Sequence, residues 1–338
     1  MFQIINNIND LKKIKEQLNL VYQNHKSLSF YSPDYIINSF ELFLEKNKNN
    51  QLYFVIIKEK TTIINYIPWY IDSKKTLRFI FDKHTDYCGI IGAIIDNKKF
   101  NKVFRNILKN KVFKKIELNN LMPNDPLLNY FKSTLGSGVF IAANNNHCYL
   151  NFSNNRHYFD TLNSKERNNL NKINSLDLDF KVINNNSLFP MKEIFYLNQK
   201  MKNDNLRTAK FFNENFYKLT EKLFISGDLE LAVTYNKDSI CSISFVLINQ
   251  ATNSRMIWIS MYENSIKNVL LKSYFDYIKY LHQPQNTTLS LGRGAYDYKL
   301  NNFQPLVENL YNIRYSNSKY DFFFSNYFGL KQFIKRFF

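Results

Sequence analysis

Residues 2–7 read FQIINN and residues 180–185 read FKVINN, a displacement of 178 positions (180 − 2). The echo returns at 51–63, QLYFVIIKEKTTI, against 228–240, DLELAVTYNKDSI, displaced by 177 (228 − 51), apolar residue on apolar residue with the turn lysine aligned. A chain that repeats itself at this length folds as two copies of one domain. The division is expected at 1–152 and 153–338, joined near 151–160. With 338 residues, 45% of them hydrophobic, each copy has the material for a sizeable core.

Both copies give one order of elements. In the second, DFKVI (179–183) has strand composition, and SLFPMKEIFYLNQKM and FFNENFYKLTEKLFISG carry apolar residues at three and four spacing, which predicts helices. Three strands in hairpin order follow at 229–235, 239–248 and 254–262, with NKD and NQATN between them as turns. An amphipathic helix over 266–281 ends before Pro284, and TTLSL (287–291) returns as a strand. The first copy runs in parallel: strand 2–6, helices near 9–18 and 34–46, strands near 51–58, 62–70 and 76–81, helix 98–109, strand 112–118, helix 126–134, and strands near 138–150. The expected class is α/β (α+β), a mixed, mostly antiparallel sheet flanked by helices, twice over.

The formal charge of +17 admits three sources. Clustered Lys and Arg would point to nucleic acid or an anionic membrane. The joint richness in Asn, Lys, Ile, Tyr and Phe fits an AT-rich coding bias, and the lysines are scattered rather than clustered. A site for phosphorylated small molecules is the third source. Cys88, Cys148 and Cys241 are odd in number and far apart, which fits a reducing cytoplasm. Five histidines without His-x-x-x-His or Cys-x-x-Cys spacing call for no metal. The N-terminus MFQIINNIND has no basic region before an apolar core, and no apolar run approaches the ~20 residues of a bilayer span, so no integral membrane segment is expected and the location is cytoplasmic.

Only 8 glycines occur in the chain, yet LSLGRGAYDYKLNNF (289–303) places two of them around Arg293, ahead of Tyr-x-Tyr-Lys. This stretch, in this element order, resembles the Asp-Phe-Gly-x-Gly … Tyr-Lys … Phe-Gly signature of the tandem branch of the GNAT superfamily. LNSKERNNLNKI (162–173) is similar to that branch's Leu-Ser-x-x-x-Arg-x-Asn helix, and KHTDYCGII (83–91) to its Thr-Asp-Tyr segment. The branch holds polysaccharide-associated acyltransferases, nucleotide-amino-sugar N-acyltransferases and peptidoglycan cross-bridge aminoacyltransferases. The resemblance implies that strands 254–262 and 287–291 part, with the pantetheine of acyl-CoA in the gap. Gly292 and Gly294 would keep that gap clear, since glycine alone allows close backbone approach or positive φ, while Arg293 faces an anion. KKIEL (114–118) continues without glycines or lysine, so the gap is expected in the second copy alone, the first supplying acceptor contacts.

The same resemblance distributes the roles. Ile259, Ser260 and Met261 would offer backbone to the donor, and Lys267, Asn268 and Val269, at the start of the following helix, would hold the pyrophosphate. The usual Arg/Gln-x-x-Gly-x-Gly/Ala pattern is absent from ENSIKNVLL (263–271), which puts acyl-CoA itself in question. Tyr296 or Tyr298 would protonate the leaving thiolate, and Lys299 would neutralise a phosphate or the oxyanion. Asp86, with His84, is the candidate base, and Asp297 is the other carboxylate near the gap. His25, Tyr87, Arg167 and Arg207 are candidate acceptor contacts. The acceptor implied first is a dTDP- or UDP-linked amino-deoxy sugar, acylated for a surface polysaccharide such as an O-antigen, with a homodimer among the allowed assemblies and no nucleic-acid partner. An aminoacyl-tRNA-dependent cross-bridge enzyme is the alternative, although no long helical hairpin interrupts 187–226. A basic RNA- or membrane-surface-binding protein is the third reading, drawing on FGLKQFIKRFF at the C-terminus. Gly292→Leu is expected to abolish acyl-donor binding with the fold retained; unchanged affinity in calorimetry would count against the gap.

Overall fold

The computed structural model describes residues 1–24, 30–93, 97–109, 112–134, 139–152, 158–208, 212–281 and 288–316. His25 and the FGLKQFIKRFF tail lie outside the described residues. Two compact units result, one from Met1–Asn146 with the described residues from Glu308 to Ser316, the other from His147–Val307.

The first unit contains β1 (Phe2–Ile5), α1 (Ile8–Lys13), α2 (Lys15–Gln23), α3 (Pro33–Ser39), β2 (Gln51–Leu52), β3 (Phe54–Glu59), β4 (Thr62–Ile67), β5 (Trp69–Ile71), β6 (Thr76–Phe79), β7 (Ile91–Gly92), α4 (Asn97–Lys109), β8 (Lys115–Leu121) and α5 (Pro126–Thr134). β9 (Val139–Asn151) continues into the second unit, followed by α6 (Tyr158–Thr161), α7 (Ser164–Asn174), β10 (Asp179–Ile183), α8 (Met191–Asn203), α9 (Glu214–Ser226), β11 (Leu229–Asn236), β12 (Ser239–Asn249), β13 (Ser254–Tyr262), α10 (Val269–Leu281), β14 (Thr288–Arg293) and α11 (Asp297–Phe303). β15 (Leu306–Ser316) completes the order. The fold is mixed α/β with helices flanking mixed sheets.

In the second unit, β10, β11, β12 and β13 pair antiparallel in sequence order, and β14 joins β13 in parallel. The centres of β11 and β12 are buried on both faces, as a sheet covered by helices requires, while β13 alternates buried with half-buried residues. α9 shows how the local sequence achieves this. Asn213 caps its first turn by accepting from the Phe216 N–H, and Gly227, at φ 80°, ends it. Phe216, Leu219, Thr220, Leu223 and Phe224 fall between them on one buried face. α10 supplies Tyr274, Phe275, Tyr277 and Ile278 to the core against Leu289, Leu291 and Phe303.

The first unit departs from the expected single sheet. The 51–58 and 62–70 strands each divide, at Tyr53 and Pro68. Pro68 has no N–H for a ladder, so the chain turns there, and β2 pairs with β5 while β3 pairs with β4. One sheet therefore runs β1-β3-β4-β7, and β2, β5, β6, β8 and β15 form another series. β15 pairs antiparallel with β8, so residues 308–316 pack with the first unit, whereas the repeat placed the whole of 153–338 in the second. Helix α10 also begins at Val269, three residues later than the periodicity of 266–281.

Asp125 fixes the 83–91 segment to α5. It accepts from the Leu127 N–H at 2.8 Å at the head of that helix and from the Ile90 N–H at 3.2 Å. Gly89 leaves room for the carboxyl, since a Cβ there would lie 2.3 Å from Asp125 Oδ2. Burial pushes the Asp125 pKa up to about 7, against the lowering effect of its backbone donors. The unfolded chain ionises this group near ~3.9, so its contribution to stability is full below that value and is lost as pH rises to about 7. Urea unfolding should show Asp125→Asn losing roughly 2 to 4 kcal/mol of pH-dependent stability change across that window. An identical pH slope in wild type and variant would contradict it.

Candidate active site at the parted strands

β13 and β14 pair only at Ser254–Met256 with Thr288–Ser290. Beyond that point each strand carries an extra residue on its other side. On β13, Ile257 and Ile259 face Val246 and Phe245, leaving Trp258 without an opposite number on β12. On β14, Ser290 faces Tyr149 and Arg293 faces His147, so Leu291 and Gly292 lie against Cys148 alone. Bulges bend a strand and steepen its twist. With one in each neighbour, the Ile257–Tyr262 half of β13 is left without a partner in β14.

The glycine pair serves this turn. Gly292 has φ 78° and Gly294 φ 86°, the left-handed region that glycine enters without cost. At Gly294 a Cβ would stand 2.5 Å from the Tyr296 ring. Lys299 is 2% exposed and donates to the Gly292 carbonyl at 3.3 Å and the Arg293 carbonyl at 2.8 Å. Its ammonium also lies over the Tyr296 and Tyr298 rings, 5.2 and 5.9 Å from their centroids. The structure thus gives Lys299 to the turn itself, where the sequence offered it to a phosphate or oxyanion. Cys148 donates weakly to the Gly294 carbonyl at 3.5 Å. Burial, with the Lys299 charge, lowers the His147 pKa to about 3, so this ring is neutral at physiological pH.

Across the gap, Arg207 donates to the Ser260 carbonyl. Burial lowers its pKa to about 10, which leaves it cationic at neutral pH, beside Tyr274 and Tyr262. Ser260 Oγ is 2.8 Å from Ser244 Oγ and 3.1 Å from the Tyr274 hydroxyl. The Tyr274 hydroxyl also lies near Tyr298. Hydroxyls thus join β12, β13 and α10, and beside them Tyr298, 37% exposed, stacks on Tyr296 at 6.2 Å. Burial raises the Tyr298 pKa strongly, with Tyr274 adding to the effect, so the phenol keeps its proton.

Ile259, Ser260, Met261, Gly292, Arg293, Gly294, Tyr296, Tyr298 and Lys299 therefore come together, and Arg207 joins them. Lys267 and Asn268 are exposed just before α10, and Asn268 has φ 63°, a left-handed turn that asparagine tolerates. Arg167 is exposed on α7, behind a capping box of Asn163 and Glu166. Tyr274, Ser244 and Ser260 Oγ were not legible as a group, since Tyr274 reads as one more apolar position of an amphipathic helix.

His84, Asp86 and Tyr87 belong to the first unit. There β6 and β8 also pair in parallel briefly, at Thr76–Leu77 with Lys115–Ile116, and then part. The chain itself fills the opening: Cys88 bridges to Leu121 and donates to the Asn120 carbonyl at 3.0 Å. Asn119 donates to Asp82, and Asn120 to the Thr85 carbonyl. Asp86 and Tyr87 are buried in this plug, and His84 packs on Phe81. Among the described residues, no group of three or more His, Cys, Asp and Glu is placed to hold a metal ion, and no helix is long and apolar enough to cross a membrane.

No family model matches the sequence, and no curated protein does. Solved structures do match. The C-terminal domain of a lysylphosphatidylglycerol synthetase candidate from Agrobacterium fabrum superposes with a TM-score of 0.62 at 12% identity, covering 92% of this chain and 93% of that one. FemX gives 0.62 at 8% identity over 93% and 96%. L-PGS from Bacillus licheniformis gives 0.58 at 11% identity over 93% of each. At such identities the likeness is one of fold, and the chain shares the mixed α/β fold of these proteins along nearly its whole length.

Proposed function

We propose that this chain is a transferase that moves an aminoacyl or acyl group from an activated ester or thioester to a nucleophile at the parted ends of β13 and β14. The observation that carries the reading is the pair of bulges at Trp258 and Gly292, which leaves the Ile259–Met261 backbone unpaired by β14 beside a protonated phenol. Such a transfer needs orientation, a donor to the developing oxyanion and a proton for the leaving group. A β13 N–H would polarise the carbonyl, a contribution of ~10²–10³ in rate. Tyr298 would protonate the departing oxygen or sulfur.

An aminoacyl ester carried by tRNA is the donor we place first. The start of α10 has exposed Lys267 and Asn268 where paired glycines would receive a pyrophosphate, and a chain of +17 suits a polyanionic carrier. The likeness in fold to L-PGS and FemX points the same way. A groove of about 550 Å³ beside Tyr235 and Tyr196 is lined by Glu193, Asp238 and Glu263 against Lys192, a poor match for the diphosphate of a nucleotide sugar. The second reading, acyl-CoA with a nucleotide-linked amino sugar, is favoured by one observation: Asn268 takes the left-handed turn that a glycine would at the entry to α10, whose N-terminal end favours phosphate, while the Val269 N–H itself donates to the Ile266 carbonyl at 3.4 Å.

A panel assay separates these. Aminoacyl-tRNAs and acyl-CoAs would be offered with phosphatidylglycerol, peptide amines and amino-sugar nucleotides as acceptors. Transfer from aminoacyl-tRNA is the expected result. Thiol release from acyl-CoA alone would support the second reading and overturn the first, and turnover of neither donor would contradict both.

A further inference from the structure

We propose that the outer face of α4 is a docking surface for RNA, holding the phosphate backbone of the carrier that brings the aminoacyl group. That the RNA is a tRNA rests on the transferase reading above; the surface itself rests on charge and packing. Lysines are scattered over most of the chain, but residues 97–116 are an exception. They hold eight lysines and arginines and no aspartate or glutamate, where the chain's 45 and 28 would average about three and about two in such a stretch. A coding bias toward lysine raises lysine everywhere and does not clear the carboxylates from one segment.

The fold turns that stretch into a surface. Phe100, Val103, Phe104 and Ile107 are buried, with Phe104 5.7 Å from Trp69 and 5.4 Å from Phe131, and this apolar stripe fixes which side of α4 faces out. Lys102, Arg105, Asn106 and Lys109 are exposed at three, four and seven spacing, which sets them along one face over about 10 Å. Like charges so placed destabilise a helix, and α4 contains no carboxylate to offset them. Past the end of α4, the Lys114 and Lys115 N–H groups donate to the Lys75 carbonyl at 2.8 and 3.3 Å, which brings the exposed Lys74, Lys75 and Lys114 together. The carboxylates that flank this turn are engaged elsewhere. Arg78 holds Asp72 at 3.0 Å and also pairs with Glu117, which Arg314 meets at 3.5 Å.

Phosphate is the group such a surface fits, and RNA suits it better than a bilayer does. A helix that lies on a membrane sinks apolar side chains ~5–10 Å into the headgroup boundary. On α4 the core takes up Phe100, Val103, Phe104 and Ile107, Leu108 is half-buried, and the outward set is polar. Lysine and arginine meet phosphate oxygens, and the Asn106 amide can donate to a phosphate or a ribose hydroxyl.

Fluorescence anisotropy of labelled, deacylated tRNA, titrated with the full chain at several NaCl concentrations, tests the surface without turnover. For wild type, log K should fall linearly with log salt. Lys102→Gln with Arg105→Gln and Lys109→Gln should weaken binding about tenfold or more and reduce the slope by about two to three. Lys165→Gln with Lys172→Gln and Lys222→Gln removes the same charge from exposed positions of α7 and α9 and should change affinity by less than about threefold. Lys74→Gln with Lys75→Gln, in the exposed turn, is a second variant of the surface and should lower the slope by about one to two. Equal losses in the α4 and control triples overturn the inference, as does unchanged affinity in the α4 and turn variants or the absence of tRNA binding by wild type. Loss of retention on phosphatidylglycerol vesicles in the α4 triple, with tRNA binding intact, would assign the surface to a membrane and overturn it too. If tRNA binds through α4 and no aminoacyl transfer is found, the surface stands and the transferase reading fails; if transfer is found and the α4 variants bind tRNA normally, the reading stands and the surface fails.

Discussion

The second unit depends on two bulges set side by side. A parallel strand pair would ordinarily run on, because each further residue adds ladder bonds and buried side chains. Trp258 on β13 and the Leu291–Gly292 step on β14 break the register of each strand with its outer neighbour at the level where the two cease to pair. Both strands bend, in a sheet whose β10–β11 ladder runs without a shift and whose β11–β12 ladder shifts once, between Thr234 and Tyr235. The cost of the opening is met on both banks: Lys299 satisfies carbonyls of the glycine turn, and Arg207 satisfies the Ser260 carbonyl on the edge of β13. Hydroxyls of Ser244, Ser260 and Tyr274 join β12, β13 and α10 behind the opening.

The first unit uses the same plan and closes it. Its parallel pair is also short, and β8 too contains a left-handed residue, Asn120 at φ 59°. Its carbonyl, however, is met by the Cys88 N–H, and its side chain by the Thr85 carbonyl. Arg78 holds Asp72, Asp82 and Glu117 together beside this plug. A clustered set of charges fixed by its own hydrogen bonds leaves no edge of backbone for a ligand. Two copies of one sequence plan have thus diverged by what fills the opening.

Much of this was legible before any coordinates. The strand order of the second unit and the glycine turn follow from residue spacing, because apolar alternation and scarce glycines report local backbone directly. The bulge at Trp258 was not legible, since an extra residue in a strand leaves the apolar pattern nearly unchanged. Nor was the crossing of strands between sheets at Tyr53 and Pro68, although the proline carried a signal. The return of β15 to the first unit is a matter of long-range pairing that 306–316 does not encode locally. Among site residues, the family resemblance pointed to the β13 backbone at Ile259–Met261 and to Tyr296 and Tyr298, which the fold brings near the glycine turn. It did not reach Tyr274 and Ser244, whose hydroxyls meet Ser260 only when α10 and β12 meet β13, and it offered Asp86 as a base and Tyr87 as an acceptor contact, residues that the fold buries.

The central claim is that the outer half of β13 is an open edge that receives the donor. Amide hydrogen exchange on the intact protein, with and without a non-hydrolysable mimic of an aminoacylated tRNA 3′ end, tests it most directly. The account expects added protection in Ile257–Tyr262 and in the Gly292–Tyr298 turn, with the 83–91 segment unchanged. Full protection of Ile257–Tyr262 already in the free protein, or binding of the mimic that leaves both stretches untouched, would contradict it.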